Sequence, residues 1–224
     1  MTDLAGLLQL ADAAFPAGGF GHSFGLETAI VEARVHDAAT LGLWIERYLL
    51  DTGAPLDGAA MTLLVRDGVA HERLDGRLTA AQPNAEIRRA NAHLARATLD
   101  TYVAMGCADE AIFAYRGAIG AGRCAGIHAL AVALGYAAIG VEIQLALAAH
   151  AATVVAASAS VAARAVPLGQ RDVARVRWTL RPAIATFVAR ALAVTAIDDL
   201  HASAIVSEID GLRHRRLTAR LFAS

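Results

Sequence analysis

An all-α fold is the class this sequence predicts, on three observations: long Ala-rich stretches, few runs of alternating β-branched residues, and apolar residues recurring at helical spacing. The chain has 224 residues, 56% of them hydrophobic. That suits one helical bundle with a substantial core, so residues 1–224 are read as a single domain. Within it, residues 1–25 form a Gly-rich amino-terminal arm and residues 202–224 a polar, then basic, tail.

Taken in order, the first clear helix lies between Asp37 and Leu50, where Leu41, Trp44, Ile45, Tyr48 and Leu49 share one stripe and Glu46, Arg47 and Asp51 lie off it. Asn84, after Pro83, is placed to cap a second. Its stripe Ile87, Leu94, Thr98, Tyr102 and Met105 faces inward, and Arg89, His93, Arg96 and Asp100 face outward. Asp109 can cap a helix reaching Tyr115, after which Gly117, Gly120, Gly122 and Gly126 loosen the chain. Ile143 to Ala163 carries no formal charge and is long enough to span a membrane. Its Ala, Ser, Thr, Gln and His content makes insertion weak, so a buried helix is expected. Pro167 to Gln170 interrupts the pattern, the stripe Val173, Val176, Leu180, Ile184 and Phe187 resumes it, and Pro182 should kink or restart that helix. Both chain ends are expected to be mobile and to order only on binding.

Composition excludes several chemistries. The net formal charge is −1, so no global field recruits nucleic acid or an anionic membrane. All 20 basic residues are arginine, which removes a Schiff-base lysine, a lysine general base and a P-loop lysine. Cys107 and Cys124 show no CxxC spacing and read as buried free thiols of a reducing compartment. No basic residue precedes Arg34, unlike the start of a signal peptide, so a cytoplasmic location is expected.

The motifs point the same way. No GxSxG, HExxH or Walker pattern is present, and neither cysteine has an identifiable histidine partner. The histidines at 22, 36, 71, 93, 128, 150, 201 and 214 show no i, i+3 or i+4 pair, the spacing that puts two ligands on one helical face. His128 and His150 sit in apolar segments. Ring nitrogens bonded to backbone carbonyls are the commoner use of such histidines than haem ligation. The expectation is therefore no enzyme, no cofactor and no metal site. The rival is a helical small-molecule-binding or haem-binding protein, or an enzyme, which needs a pocket with convergent polar groups. In the tail, Arg213, His214, Arg215, Arg216 and Arg220 alternate with Leu212, Leu217, Leu221 and Phe222, a pattern suited to an acidic, partly apolar partner surface.

Three segments carry a resemblance. Leu7-Leu8-Gln9-Leu10 followed by Phe15 through Thr28, then Val166-Pro167-Leu168-Gly169-Gln170 after a long Ala-rich helix, then Arg213-His214 through Arg220-Leu221-Phe222-Ala223-Ser224, resemble the signatures of the urease accessory protein F (UreF) family in order and spacing. Arg164 stands where family members often have lysine, keeping the charge in planar form. The resemblance implies an all-α, homodimeric, non-catalytic scaffold. It would bind a UreD/UreH-type accessory protein and the GTPase UreG, deliver nickel through that complex to apo-urease, and gate GTP hydrolysis. It also implies partner-binding roles for Phe20, His22, Ser23, Glu27, Arg164, Gln170, Arg213, His214, Leu217, Arg220, Leu221 and Phe222.

Overall fold

A computed structural model describes residues 3–12, 14–17, 22–82 and 84–222. Among these the regular structure is helical throughout, with no β-strand. The helices are α1 (Leu4–Leu10), α2 (Leu26–Val31), α3 (Ala38–Tyr48), a π-helical segment (Leu49–Gly58), α4 (Ala59–Val65), α5 (His71–Ala81) and α6 (Ala85–Met105). There follow α7 (Glu110–Gly120), α8 (His128–Ala138), α9 (Ile143–Ala165), α10 (Gln170–Thr179), α11 (Arg181–Ala193), a 3₁₀ turn (Ile197–Asp199) and α12 (Ile205–His214).

Local chemistry sets most boundaries. The Asp37 side chain accepts from the Thr40 N–H while the Thr40 hydroxyl bonds back, a capping box that starts α3. Asn84 caps α6 and Asp109 caps α7, as the sequence predicts. Left-handed Gly106 ends α6. Leu180 closes α10, and Pro182 in the first turn of α11 restarts the chain in a new direction.

Two expectations are corrected, and one feature is new. Helix α7 runs through Gly117 to Gly120, because Ala118 and Ile119 continue the buried face begun by Ile112 and Tyr115. Met105 is exposed, since the last turn of α6 projects past the core that buries Leu94, Thr98 and Tyr102. After Tyr48 the helix widens into the π-helical segment, which holds Pro55. Proline lacks an N–H and cannot continue an ordinary hydrogen-bond ladder. The widened segment lies against α11, where Gly58 leaves room for Phe187; a Cβ there would meet the Phe187 ring at 2.7 Å.

The core fills the space between α4, α6, α8, α9 and α11. At the α6–α8 crossing Gly135 abuts the Tyr102 ring, and any side chain there would collide with it. Asp75 on α5 is buried yet satisfied: it accepts from the Tyr115 hydroxyl at 2.7 Å and from the Ala125 and Gly126 N–H groups at 2.8 and 3.0 Å. Helix α9 is long and apolar enough to cross a membrane. In this fold it packs against α2, α10 and α11, burying Leu147, His150, Val155 and Val161.

Candidate partner-docking site

The tail does not stand apart from the bundle. Helix α12 crosses α2 at close range because Gly25, at φ +94°, lies under Ser207 and Gly211; a Cβ on Gly25 would approach the Ser207 carbonyl oxygen to 2.7 Å. The crossing is pinned by polar contacts. The Thr28 hydroxyl donates to the Asp210 carbonyl at 2.9 Å, and Arg34 grips the buried Asp210 carboxylate with two nitrogens at 2.5 and 2.9 Å.

His214, at 0% exposure, closes the arrangement. Its Nε2 lies 2.7 Å from a Glu27 oxygen on α2 and its Nδ1 3.2 Å from a Glu86 oxygen on α6. A carboxylate oxygen faces each ring nitrogen. Beyond it the chain turns back and gives Glu27 the N–H groups of Leu221, at 2.5 Å, and Phe222, at 3.3 Å. Arg220 reaches Glu86 at 3.4 Å, and Arg164 at the end of α9 stacks 4.5 Å over the Phe222 ring. Phe222 is 5% exposed. Arms from α2, α6, α9 and the tail thus meet in one clamp.

This corrects the expectation of a mobile tail for residues 205–222. It also separates the proposed docking residues. Glu27, His214 and Phe222 are consumed inside the protein, and Ser23 is buried. Arg164 and Arg220 are exposed at the rim of the clamp, and Arg213 pairs with Glu32 at 3.5 Å. Leu217 is half-buried, Gln170 is exposed at the start of α10, and Leu221 is 69% exposed. His22 is half-buried and lines the interior cavity; Phe20 lies outside the described residues. Sequence reasoning missed Glu86, Arg34, Asp210 and Thr28. One signal for the inner face was present: Ser207, Asp210 and His214 recur at i, i+3 and i+7 and are all buried.

Helix α12 is accordingly turned inside out. Its polar stripe faces the bundle, while Ile205, Val206, Ile209 and Leu212 are exposed. Arg215 and Arg216 stand exposed beside them.

A cavity of about 470 Å³ occupies the interior, bordered by Trp44, Tyr48, Asp57, His128 and His150. Trp44 and Tyr48 stack with ring centroids 5.4 Å apart. Burial raises the Asp57 carboxyl to about 7 and lowers His128 to about 3 and His150 to about 4, so both imidazoles are neutral at pH 7. Among the described residues, no group of three or more His, Cys, Asp or Glu side chains converges as a metal site.

Residues 35–181 match the family model described as UreF. Over 218 residues, 97% of this chain and 96% of the relative, the sequence is 35% identical to the urease accessory protein UreF of Arthrobacter sp. (strain FB24). Identity is 33%, at the same two coverages, to the proteins of that name from Paenarthrobacter aurescens (strain TC1) and Corynebacterium glutamicum (strain R).

Proposed function

Since the chain belongs to the UreF family of urease accessory proteins, we propose that it is a non-catalytic adaptor of the cytoplasm that bridges a UreD/UreH-type accessory protein and the GTPase UreG, so that nickel reaches apo-urease. In this reading nickel is cargo, the adaptor works as a homodimer, and it gates GTP hydrolysis by its partner. Neither nucleic acid nor a membrane takes part.

The observation that carries the reading is the inverted α12. A helix that keeps Asp210 and His214 inside while holding Ile205, Ile209 and Leu212 in solvent has its apolar side free for another protein. The clamp fixes that surface before binding, which lowers the ordering cost of association. Each of these side chains contributes on the order of 1.5–3 kcal/mol if fully buried, whereas exposed arginine pairs add less than about 1 kcal/mol. Apolar contacts from α12 and Leu221 therefore supply the affinity, and Arg213, Arg215 and Arg216 set orientation.

The test is the triple variant Ile209→Ser, Leu212→Ser, Leu221→Ser, which leaves every clamp side chain in place. It should lose capture of the UreD-type protein while its helical circular dichroism stays unchanged. Undiminished capture would remove α12 as the docking face.

A further inference from the structure

Helix α10 presents a second surface of different character. Val173, Val176 and Leu180 are its buried side, and the opposite side carries Arg171, Arg175 and Trp178 at i, i+4 and i+7. Trp178 is 63% exposed. The Arg181 guanidinium lies 3.3 Å from the Trp178 ring centroid, and its Nε donates to the Trp178 carbonyl at 3.1 Å. Among the described residues, Asp172, 3.5 Å from Arg175, supplies the face's only carboxylate contact; no carboxylate pairs with Arg171 or Arg181.

We propose that the face formed by Arg171, Arg175 and Trp178 of α10 with Arg181 at the start of α11 docks an acidic surface of a second protein, distinct from the one held at α12. Three arginines against one aspartate make a local positive surplus on a chain of net charge −1, so carboxylates are the complementary groups. Tryptophan and arginine are the side chains most enriched at binding hot spots, and the stacked Arg181 holds the indole outward before any partner arrives. A second copy of this chain does not fit, because a two-fold contact through the face would set arginine against arginine. A nucleic-acid duplex fits less well, since so few cations neutralise few phosphates. The face is separate by architecture: α10 packs on α3, α9 and α11, and α12 packs on α2.

The inference rests on the adaptor reading, in which the acidic partner is the GTPase. The experiment measures binding of purified UreD-type protein and of the GTPase to the full chain, to Arg171→Glu/Arg175→Glu and to Trp178→Ala. A mixed-sequence DNA duplex at physiological salt and light scattering run alongside. Both variants should keep the helical circular dichroism, the oligomeric state and the UreD-type protein, while GTPase affinity falls at least about tenfold. GTPase binding unchanged within about twofold, loss of both partners together, loss of self-association, or DNA binding abolished by the charge reversal would each overturn the proposal. If the wild-type chain captures neither partner, the adaptor reading itself fails and takes this one with it.

Discussion

At the carboxyl-terminal clamp, Arg34 meets Asp210 with two nitrogens and His214 meets Glu27 and Glu86. On α10 and at the start of α11, Arg171 and Arg181 stand in solvent with no carboxylate partner among the described residues. The two regions are similarly basic in sequence and opposite in use. In the first, the carboxylates Glu27 and Asp210 and the His214 ring are spent within the fold, and the apolar side of α12 remains outside with Arg215 and Arg216. In the second, the apolar stripe is spent within the fold, and charge remains outside. Buried charge at the clamp is therefore expected to set stability, and the exposed charge of α10 to leave stability almost unchanged.

The largest expected effect lies at the clamp. His214→Ala leaves two carboxylates facing each other in a buried site, and unpairing such a group costs roughly 3–5 kcal/mol. Chemical denaturation should show that loss; a change below about 1 kcal/mol would contradict the buried clamp. Arg34→Ala, which strands Asp210 at 1% side-chain exposure, is expected to cost about 2–4 kcal/mol. Arg175→Ala on α10 should change stability by less than about 0.5 kcal/mol. If those two arginine variants proved equal, the contrast between the regions would collapse.

A half-buried carboxyl on the cavity wall sharpens the comparison. Burial holds the Asp57 carboxyl near 7, above its unfolded value of 3.8. The folded state therefore keeps the proton longer, and this group's contribution declines as pH rises from about 4 to about 7. Asp57→Asn should stabilise the protein at pH 8 by on the order of 1–2 kcal/mol and give little change at pH 4. The interior histidines act in the opposite sense. His128 and His150 resist protonation in the folded state but take it up unfolded, so stability is lost as pH falls below 6.5 toward 4. His150→Gln should soften that acid loss by a smaller amount, read from melting temperature against pH.

The bundle was legible because its signals are local. Asp37, Asn84 and Asp109 announce helix starts, and Pro182 announces a restart, from side chains a few positions away. The π-helical turn was not, since Pro55 marks a disturbance without saying whether the helix breaks or widens; contact with Phe187 on α11 accompanies the outcome. The clamp was half legible. The resemblance singled out Glu27, His214 and Phe222, but their mutual contacts join residues 187 and 195 positions apart, which no local pattern encodes. Hydrophobic periodicity is no guide to α12, where the fold buries Ser207, Asp210 and His214 and leaves Ile205, Ile209 and Leu212 exposed.

Amide hydrogen exchange of the free protein tests the clamp most directly. The N–H groups of Leu221 and Phe222 donate to Glu27 beside a fully buried His214. Both should exchange slowly in the chain without any partner, and both should lose protection in Glu27→Ala while α8 and α9 keep theirs. Exchange at the rate of an unstructured peptide in the wild-type free chain would contradict the clamp and return the tail to an arm ordered only by its partner.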